Sequence, residues 1–258
     1  MPPGSAACEH ARVMPNDKIY IHELIDIRGH SRAKYMHHMT ANWVPVAIRE
    51  RNMRCYAVWG TVGSTGQWPQ TVNMWELDGW DGLATNFEHE LSHATLQDPS
   101  LAAWWTQAAE FRRGGFDRIL VPAEWTRSID ELVADGVHGS VFAHELVTVP
   151  AGTSGDYLAA LHDVGQPAVE AFGLELVGAF AVAMVDDTEC IVIWAIPDWH
   201  TWAEFEAADH DDRLAAWGAR QRTMDAAKRR VLLVEAPLSP MRIGRQPEES
   251  DRRPLDEI

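Results

Sequence analysis

Cysteine, basic charge and long apolar runs are all scarce in this 258-residue chain. Its three cysteines, Cys8, Cys55 and Cys190, are too few and too scattered for a disulfide framework or a structural zinc site. No apolar run approaches the roughly 18 residues that are needed to cross a bilayer, and residues 1–17 lack the basic start and apolar stretch of a signal peptide. We therefore expect a cytoplasmic protein that has no membrane partner.

The shortage of basic residues also argues against nucleic acid as a partner. The chain has 22 basic and 38 acidic residues and a net charge of −16, so a phosphate backbone or an anionic membrane would be repelled on average. Apolar residues make up 46% and charged residues 23%, which is typical of a globular protein. Twelve tryptophans and twelve histidines stand out, and they supply aromatic walls and groups that titrate near neutral pH.

The two halves of the chain share an ordered series of residues, which indicates an internal duplication. The offset between matching residues changes only where loops would fall, as small insertions and deletions require. The matches are His22-Glu-Leu24 with His144-Glu-Leu146, Tyr35 with Tyr157, Pro45 with Pro167, Trp75 with Trp194, Trp80 with Trp199, Leu101-Ala-Ala-Trp104 with Leu214-Ala-Ala-Trp217, and Arg118-Ile-Leu120 with Arg230-Val-Leu232.

Each half has the same predicted order of elements, β-α-β-β-α-β, which is the split βαβ unit of the ferredoxin-like fold. The predicted fold class is therefore α+β, with two tandem ferredoxin-like repeats at 18–122 and 138–236. A capping box at Ser128 and a stop at Gly136 predict a short helix between them. Residues 1–17 and 237–258 are expected to be tails.

The duplicated unit resembles the NIPSNAP family of dimeric α/β-barrel proteins. The residues that carry this resemblance are Ile21-His-Glu-Leu24, Gly29, Tyr35, Gly60 and Trp75, with their partners in the second half. The resemblance implies that two ferredoxin-like units in one chain pair their sheets into a pseudo-dimeric barrel, with pockets between sheet and helices. Related barrels include cofactor-free polyketide cyclases and monooxygenases, and also haem proteins such as chlorite dismutases and aldoxime dehydratases. Fold alone does not choose among these activities.

Neighbouring residues on a strand point to opposite faces, so His22 and Glu23 must lie on opposite sides of the sheet, as must His144 and Glu145. One member of each pair would face the helices and the other the barrel interior. Either could be a buried acid or base, or a hydrogen-bonded group that stabilises the contact between the halves. Because both halves retain the pair, the structural role is favoured.

Residues that differ between the halves are better candidates for a site. His38 aligns with Ala160 and is predicted at the rim of the first helix stripe, where it could act as a general acid or base or simply be solvated. His162 is a weaker candidate for that role and the obvious haem ligand. The candidate catalytic residues are His22, Glu23, His38 and Tyr35, and the candidate ligand-binding residues are Trp43, Asn42, Trp59, Trp75 and His144.

The segment His89-Glu-Leu-Ser-His93 matches the H-E-x-x-H zinc motif. It falls in an insertion relative to the second half, within a ferredoxin-like unit rather than a metalloprotease fold. Glu110 or Glu124 could serve as a third ligand, but nothing in the sequence singles them out. We therefore expect no metal at this motif.

These patterns favour a cofactor-independent enzyme of the cyclase, isomerase, lyase or monooxygenase type. It would use histidine acid/base chemistry on a hydrophobic small molecule of aromatic, polyketide-like or terpenoid-like character. A haem enzyme of the same superfamily and a non-catalytic small-molecule-binding protein are the alternatives. A homo-oligomer is one option for the assembly.

Overall fold

A computed structural model describes residues 15–208 and 210–258. Within them, eight antiparallel strands close into a barrel in the order β1-β3-β2-β8-β5-β7-β6-β4. The strands are β1 Ile19–Ile27, β2 Arg54–Thr61, β3 Gln70–Leu77, β4 Arg112–Pro122, β5 Val141–Thr148, β6 Glu175–Ala183, β7 Glu189–Ile196 and β8 Ala227–Glu235.

Ten α-helices lie in the described residues, most of them packed on the outside of the barrel. They are α1 Arg32–His37, α2 Val44–Arg51, α3 Gly79–Leu91, α4 Pro99–Phe111, α5 Ile129–Ala134, α6 Ser154–Ala160, α7 Gln166–Glu170, α8 Trp199–Ala207, α9 Asp212–Thr223 and α10 Pro240–Ile243. π-Helical segments, His38–Trp43 and Leu161–Gly165, join α1 to α2 and α6 to α7. Short 3₁₀ turns follow at Glu249–Asp251 and Leu255–Glu257.

Strands β1 to β4 form the first half of the barrel and β5 to β8 the second. Two short ladders join the halves, one between β2 and β8 at Trp59–Thr61 and one between β4 and β6 at Ile119–Pro122. Apolar side chains fill the barrel interior, and a separate apolar layer lies between the sheet and the helices in each half. This architecture offers three places for a site: the interior and the two outer layers.

Most predicted strands occur where the sequence pattern indicates, but two features differ from the prediction. The last strand of the first half begins at Arg112 rather than at Arg118. Each half carries two helices, not one, between its third and fourth strands. The linker helix has the predicted capping box at Ser128, and Gly136 follows it with the positive φ of 71° that favours glycine.

Residues 237–258 were expected to be a tail from their composition, but the structure shows them packed on the first half. Gln246 hydrogen-bonds the backbone of Cys55, and the amide of Arg253 donates to His37 Nε2. Cys55 and Cys190 are buried free thiols, while Cys8 and most of the other expected tail, residues 1–17, lie outside the described residues. No helix in the described ranges is long and apolar enough to cross a membrane.

Candidate active site

Neighbouring side chains of β1 alternate between the two faces of the sheet, as the sequence predicts. His22 lies fully buried in the barrel interior, whereas Glu23 faces the helices of the first half and the apolar layer there. The strand therefore places its two ionisable side chains in different compartments.

A cavity of about 380 Å³ lies between the sheet of the first half and its helices; we call it the first-half cavity. Four tryptophans, Trp43, Trp75, Trp104 and Trp105, make up much of its wall. The polar groups that reach it are few and mostly charged: Glu23, Arg51, Asn86, Glu90, Arg112, Asp117 and Arg118. An apolar wall with a few convergent polar groups is the usual form of a small-molecule site.

Glu23 is the central polar group of this cavity. Asn73 donates from Nδ2 to Glu23 Oε2 at 2.8 Å and to the hydroxyl of Tyr35 at 3.0 Å. Burial raises the pKa of Glu23 to about 7, and the neighbouring carboxylate of Asp117 raises it further, against the lowering effect of hydrogen bonds from Asn73 and Trp75. A carboxyl group with such a pKa can both accept and donate a proton near neutral pH.

Asp117 lies directly opposite Glu23 on β4. Burial raises the pKa of Asp117 as well, and the guanidinium of Arg112 partly offsets that effect. Arg112 stacks over the ring of Trp105 with 4.2 Å between its Cζ and the ring centroid. The cavity therefore holds two neighbouring carboxyl groups and a cation held against an aromatic wall.

The equivalent position in the second half has the opposite electrostatics. Glu145 lies opposite Arg230, which donates to its Oε1 at 2.6 and 3.0 Å, and Lys228 is 3.5 Å away. Burial alone would raise the pKa of Glu145, but the two cations outweigh burial and hold that pKa below its ordinary value. Glu145 is therefore an ionised structural group.

This comparison corrects the alignment of the two last strands. The ladders pair His22 with Arg118 but His144 with Val231, and they pair Glu23 with Asp117 but Glu145 with Arg230. The residue equivalent to Arg230 is thus Asp117 rather than Arg118. The two halves differ by a change of charge sign beside the equivalent glutamates, Glu23 and Glu145.

His38 lies behind the cavity wall, stacked on Trp104 with 5.0 Å between ring centroids. Its Nε2 is 3.1 Å from the carbonyl oxygen of Trp104, and its Nδ1 is 2.9 Å from Nδ2 of Asn42. Burial lowers the pKa of His38. Both ring nitrogens are engaged, so the structure gives this neutral histidine a packing position rather than the rim position that the helical wheel suggested.

The other candidate residues divide between the two compartments. Trp43 and Trp75 line the first-half cavity, and buried Tyr35 reaches Glu23 only through Asn73. His22 and His144 meet in the barrel interior, where their Nε2 atoms are 3.2 Å apart, and Trp59 packs there on Phe142. Burial and the proximity of charged groups lower the pKa of both histidines, to about 3 for His144, so the pair is neutral.

The two halves differ at one position on the π-helical segments, which border the outer layers. Trp43 in the first half corresponds to Gly165 in the second. Trp217 occupies the space beside Gly165 so closely that a Cβ there would lie 2.8 Å from the indole. Trp43 and His38 instead pack against Trp104, the counterpart of Trp217, with 5.6 Å between the two indole centroids. Trp217 therefore packs directly against the π-helical segment of the second half, whereas Trp104 packs on Trp43 in the wall of the first-half cavity.

Comparison with solved structures supports this architecture. The chain superimposes on a proposed monooxygenase from Fusobacterium nucleatum with a TM-score of 0.54 at 7% identity, covering 88% of this chain and 94% of that one. An anthrone oxidase-like protein superimposes with a TM-score of 0.51 at 11% identity, covering 85% of this chain and 92% of that one. A mutant chlorite dismutase from Candidatus Nitrospira defluvii, in complex with cyanide, superimposes with a TM-score of 0.50 at 9% identity, covering 93% of this chain and 92% of that one.

The chain has the dimeric α/β-barrel fold. No protein-family model matches the sequence. No curated protein matches it either. At these identities the similarity concerns the fold of the barrel alone.

Some barrels of this fold hold haem, which needs a side chain of this chain as an axial ligand to its iron. His162, the expected ligand, is exposed, stacks on Trp125 with 4.6 Å between centroids, and lies on the π-helical segment whose Gly165 packs against Trp217. Among the described residues, the wall of the first-half cavity contains no histidine, cysteine or tyrosine to serve as an axial ligand. The residues of this barrel do not fit haem at either place.

Sequence reasoning missed Asp117, Arg112 and Asn73, which surround Glu23. The repeat pointed to residues that both halves share, and these three groups act through cross-strand contacts that a linear alignment does not show. An alignment of β4 with β8 by strand register would have placed Asp117 at the position equivalent to Arg230. It would have revealed that an acidic residue in the first half replaces a basic residue in the second.

Proposed function

We propose that this barrel is an enzyme that transfers protons on a hydrophobic, ring-containing small molecule in the first-half cavity, with Glu23 as the base. One observation carries the proposal: a carboxyl group with a pKa of about 7 lies in a tryptophan-walled cavity, while its counterpart Glu145 is neutralised by Arg230. Small-molecule chemistry in a barrel of this fold is consistent with the neighbours that are described as enzymes.

The proposed reaction begins with the ionised Glu23 carboxylate. Glu23 takes a proton from a C–H or O–H bond of the substrate, and the electron pair of that bond stays on the substrate. Asn73 holds one carboxylate oxygen at 2.8 Å and so fixes the direction of the other. The guanidinium of Arg112 would stabilise the developing anion, and return of the proton to a different atom completes an isomerisation.

The wall of the cavity defines the proposed substrate class. Indole faces favour flat aromatic rings, and the charged groups favour a substrate with a carbonyl or hydroxyl that can carry negative charge. The neighbour described as anthrone oxidase-like makes an aromatic ketone a reasonable first probe. Proton transfer by Glu23 requires no cofactor, and cofactor independence is part of the proposal.

In this mechanism His38 is a positioning residue. Its ring stacks on Trp104, and its Nε2 hydrogen-bonds the backbone carbonyl oxygen of the same residue. His38 thereby holds Trp104, one wall of the cavity, in place. Histidine acid/base chemistry, as the sequence analysis expected, is thereby replaced in our proposal by carboxylate chemistry.

The finer relationships are also proposals. Each half of the barrel has strand, helices, two strands, helices and strand in that order, which supports tandem ferredoxin-like repeats that form a pseudo-dimer. The NIPSNAP relationship is supported by the repeated residues that carry the resemblance. It is tested by a structure of a family member that superimposes with matching Glu23 and Trp75.

Hydrogen–deuterium exchange would test the function. The protein is incubated in D₂O with anthrone and a panel of aromatic ketones and phenols, and loss of substrate protons is followed by NMR. We expect catalysed exchange for at least one compound, and a decrease of about 10²–10⁴-fold in Glu23→Gln, the range for loss of a general base. The matched control is Glu145→Gln, which should retain exchange per folded molecule.

The pH dependence of that exchange gives a second readout. The rate should rise with a midpoint near 7, as Glu23 ionises, and Asp117→Asn should move the midpoint to lower pH because it removes a neighbouring negative charge. Ligands that quench tryptophan fluorescence but undergo no catalysed exchange would identify a binding protein instead. Equal loss in Glu23→Gln and Glu145→Gln would overturn the assignment of the base.

A further inference from the structure

The H-E-x-x-H segment has a carboxylate beside it that the sequence analysis did not foresee. His89 lies near the end of α3, His93 just beyond it, and Asp98 caps the N-terminus of α4. The Nε2 atoms of His89 and His93 are 3.7 and 4.0 Å from Asp98 Oδ1, and the three ligand atoms all lie within 4.8 Å of one another.

The donor atoms of this cluster are open to an additional ligand. His89 Nε2 is buried and has no hydrogen-bond partner in the described part of the chain. The two carboxylate oxygens of Asp98 have different partners. Oδ2 caps the helix, because it accepts hydrogen bonds from the amide of Leu101 and the hydroxyl of Ser100. Oδ1 has only a long contact of 3.4 Å from the amide of Ser100 and faces the two imidazoles.

The surrounding charges favour a cation. Arg51 is 3.0 Å from Glu90 and 3.6 Å from Asp98, so one arginine lies between two carboxylates and the group retains a net negative charge. Because Glu90 is bound to Arg51, it is not free to act as the general base that the motif supplies in metalloproteases. The segment therefore lacks the free glutamate that peptide hydrolysis at this motif requires.

We propose that His89, His93 and Asp98 bind one divalent transition-metal ion of the zinc class. A tetrahedral zinc ion holds its nitrogen and oxygen ligands at about 2.0–2.2 Å, and so about 3.4 Å from one another, which a small contraction of this cluster achieves. The partly exposed histidines leave the remaining position to water. This proposal replaces the expectation of no metal and the third ligands Glu110 and Glu124.

The proposed ion would join the two helices that cover the first-half cavity. Helix α3 contributes Asn86 and Phe87 to that cavity and α4 contributes Trp104 and Trp105, while the cluster lies at their junction. The ion would thus fix the cavity cover, and it takes no part in proton transfer by Glu23. The metal site and the proposed function can fail separately.

The test uses untagged full-length protein that has been stripped with a chelator and then titrated with Zn²⁺ and with Co²⁺ as a spectroscopic probe. We expect one equivalent of metal per chain by elemental analysis, visible Co²⁺ absorption of a low-coordinate site, and at least tenfold weaker binding in His93→Ala. Asp98→Asn keeps an oxygen for the helix cap and should weaken binding similarly. His30→Ala, which removes an exposed histidine elsewhere, should bind normally.

Two results would overturn the proposal. The first is no stoichiometric binding to the wild-type protein, which would leave the histidines as simple ion-pair partners of Asp98. The second is binding that is unchanged in both His93→Ala and Asp98→Asn. Circular dichroism of each variant shows whether the fold is retained, and the conservative Asp98→Asn variant serves if His93→Ala fails to fold.

Discussion

Glu23 and Glu145 show how the charges on neighbouring strands change the role of equivalent carboxyl groups. Both follow a histidine on the first strand of their half, and both accept a hydrogen bond from a tryptophan of the third strand, Trp75 or Trp194. Burial raises the pKa of Glu23 and Asp117 raises it further, whereas Lys228 and Arg230 together hold the pKa of Glu145 below its ordinary value. A charge that is neutralised by a fixed partner stabilises the fold, whereas a carboxyl without one is available for proton transfer.

The pKa of Glu23 predicts a pH-dependent effect on stability. Its folded-state pKa of about 7 lies above the ordinary value of 4.5, so folding favours the protonated form. The stability that the protonated Glu23 side chain gives to the fold, relative to the ionised side chain, is fully present below pH 4.5 and is lost as the pH rises through 7. Glu23→Gln should therefore raise the free energy of unfolding by about 2–3 kcal/mol at pH 8 and by much less at pH 5.

Urea denaturation of both proteins at the two pH values measures this difference. Burial also raises the pKa of Glu76 and Glu235, so only the difference between wild type and variant isolates Glu23. A stability difference that is the same at pH 5 and pH 8 would show that Glu23 titrates normally.

At the scale of the elements, each half has a π-helical segment just before a proline. Pro45 follows His38–Trp43 and Pro167 follows Leu161–Gly165, and each proline lacks the amide that would continue regular α-helical bonding. The segment also carries a residue that borders the outer layer, Trp43 in the cavity wall of the first half or Gly165 against Trp217 in the second. The same local distortion thus serves a cavity in one half and close packing in the other.

Two helical glycines of the second half test this packing. Gly165→Ala would place a Cβ 2.8 Å from Trp217 and 2.9 Å from Leu161, so it should lower the free energy of unfolding by about 1–3 kcal/mol. Gly155 in α6 has no atom within 4 Å of the same added carbon, so Gly155→Ala should be neutral or stabilise by up to about 1 kcal/mol. Equal effects in urea denaturation would contradict the close packing of Trp217.

At the scale of the whole molecule, residues 237–258 complete the edge of the first half. The ladder between β2 and β8 covers only Trp59–Thr61, and the rest of β2 would lack backbone partners on that side. Ser239 Oγ accepts from the amide of Val58, while Gln246 accepts from the amide of Cys55 and donates to its carbonyl oxygen. Side chains of the C-terminal segment thus take the place of a neighbouring strand.

Gln246→Ala should therefore destabilise the barrel. It leaves a buried amide and carbonyl of Cys55 without partners, at a cost of about 1–3 kcal/mol in the free energy of unfolding. Gln107→Ala, on an exposed face of α4, is the control and should have little effect. A Gln246→Ala variant as stable as the control in thermal or urea denaturation would show that the hydrogen bonds from Gln246 to the backbone of Cys55 do not stabilise the barrel.

The sequence by itself determined most strand positions, the capped linker helix and the opposite faces of His22 and Glu23, because strand periodicity and capping are local. It also placed Trp43 and Gly165 at equivalent positions. Only the tertiary structure decided that Asp117 lies beside Glu23, that His38 stacks behind Trp104 and that Asp98 approaches His89 and His93. Those relationships depend on strand register and helix packing, which join residues that are far apart in the chain.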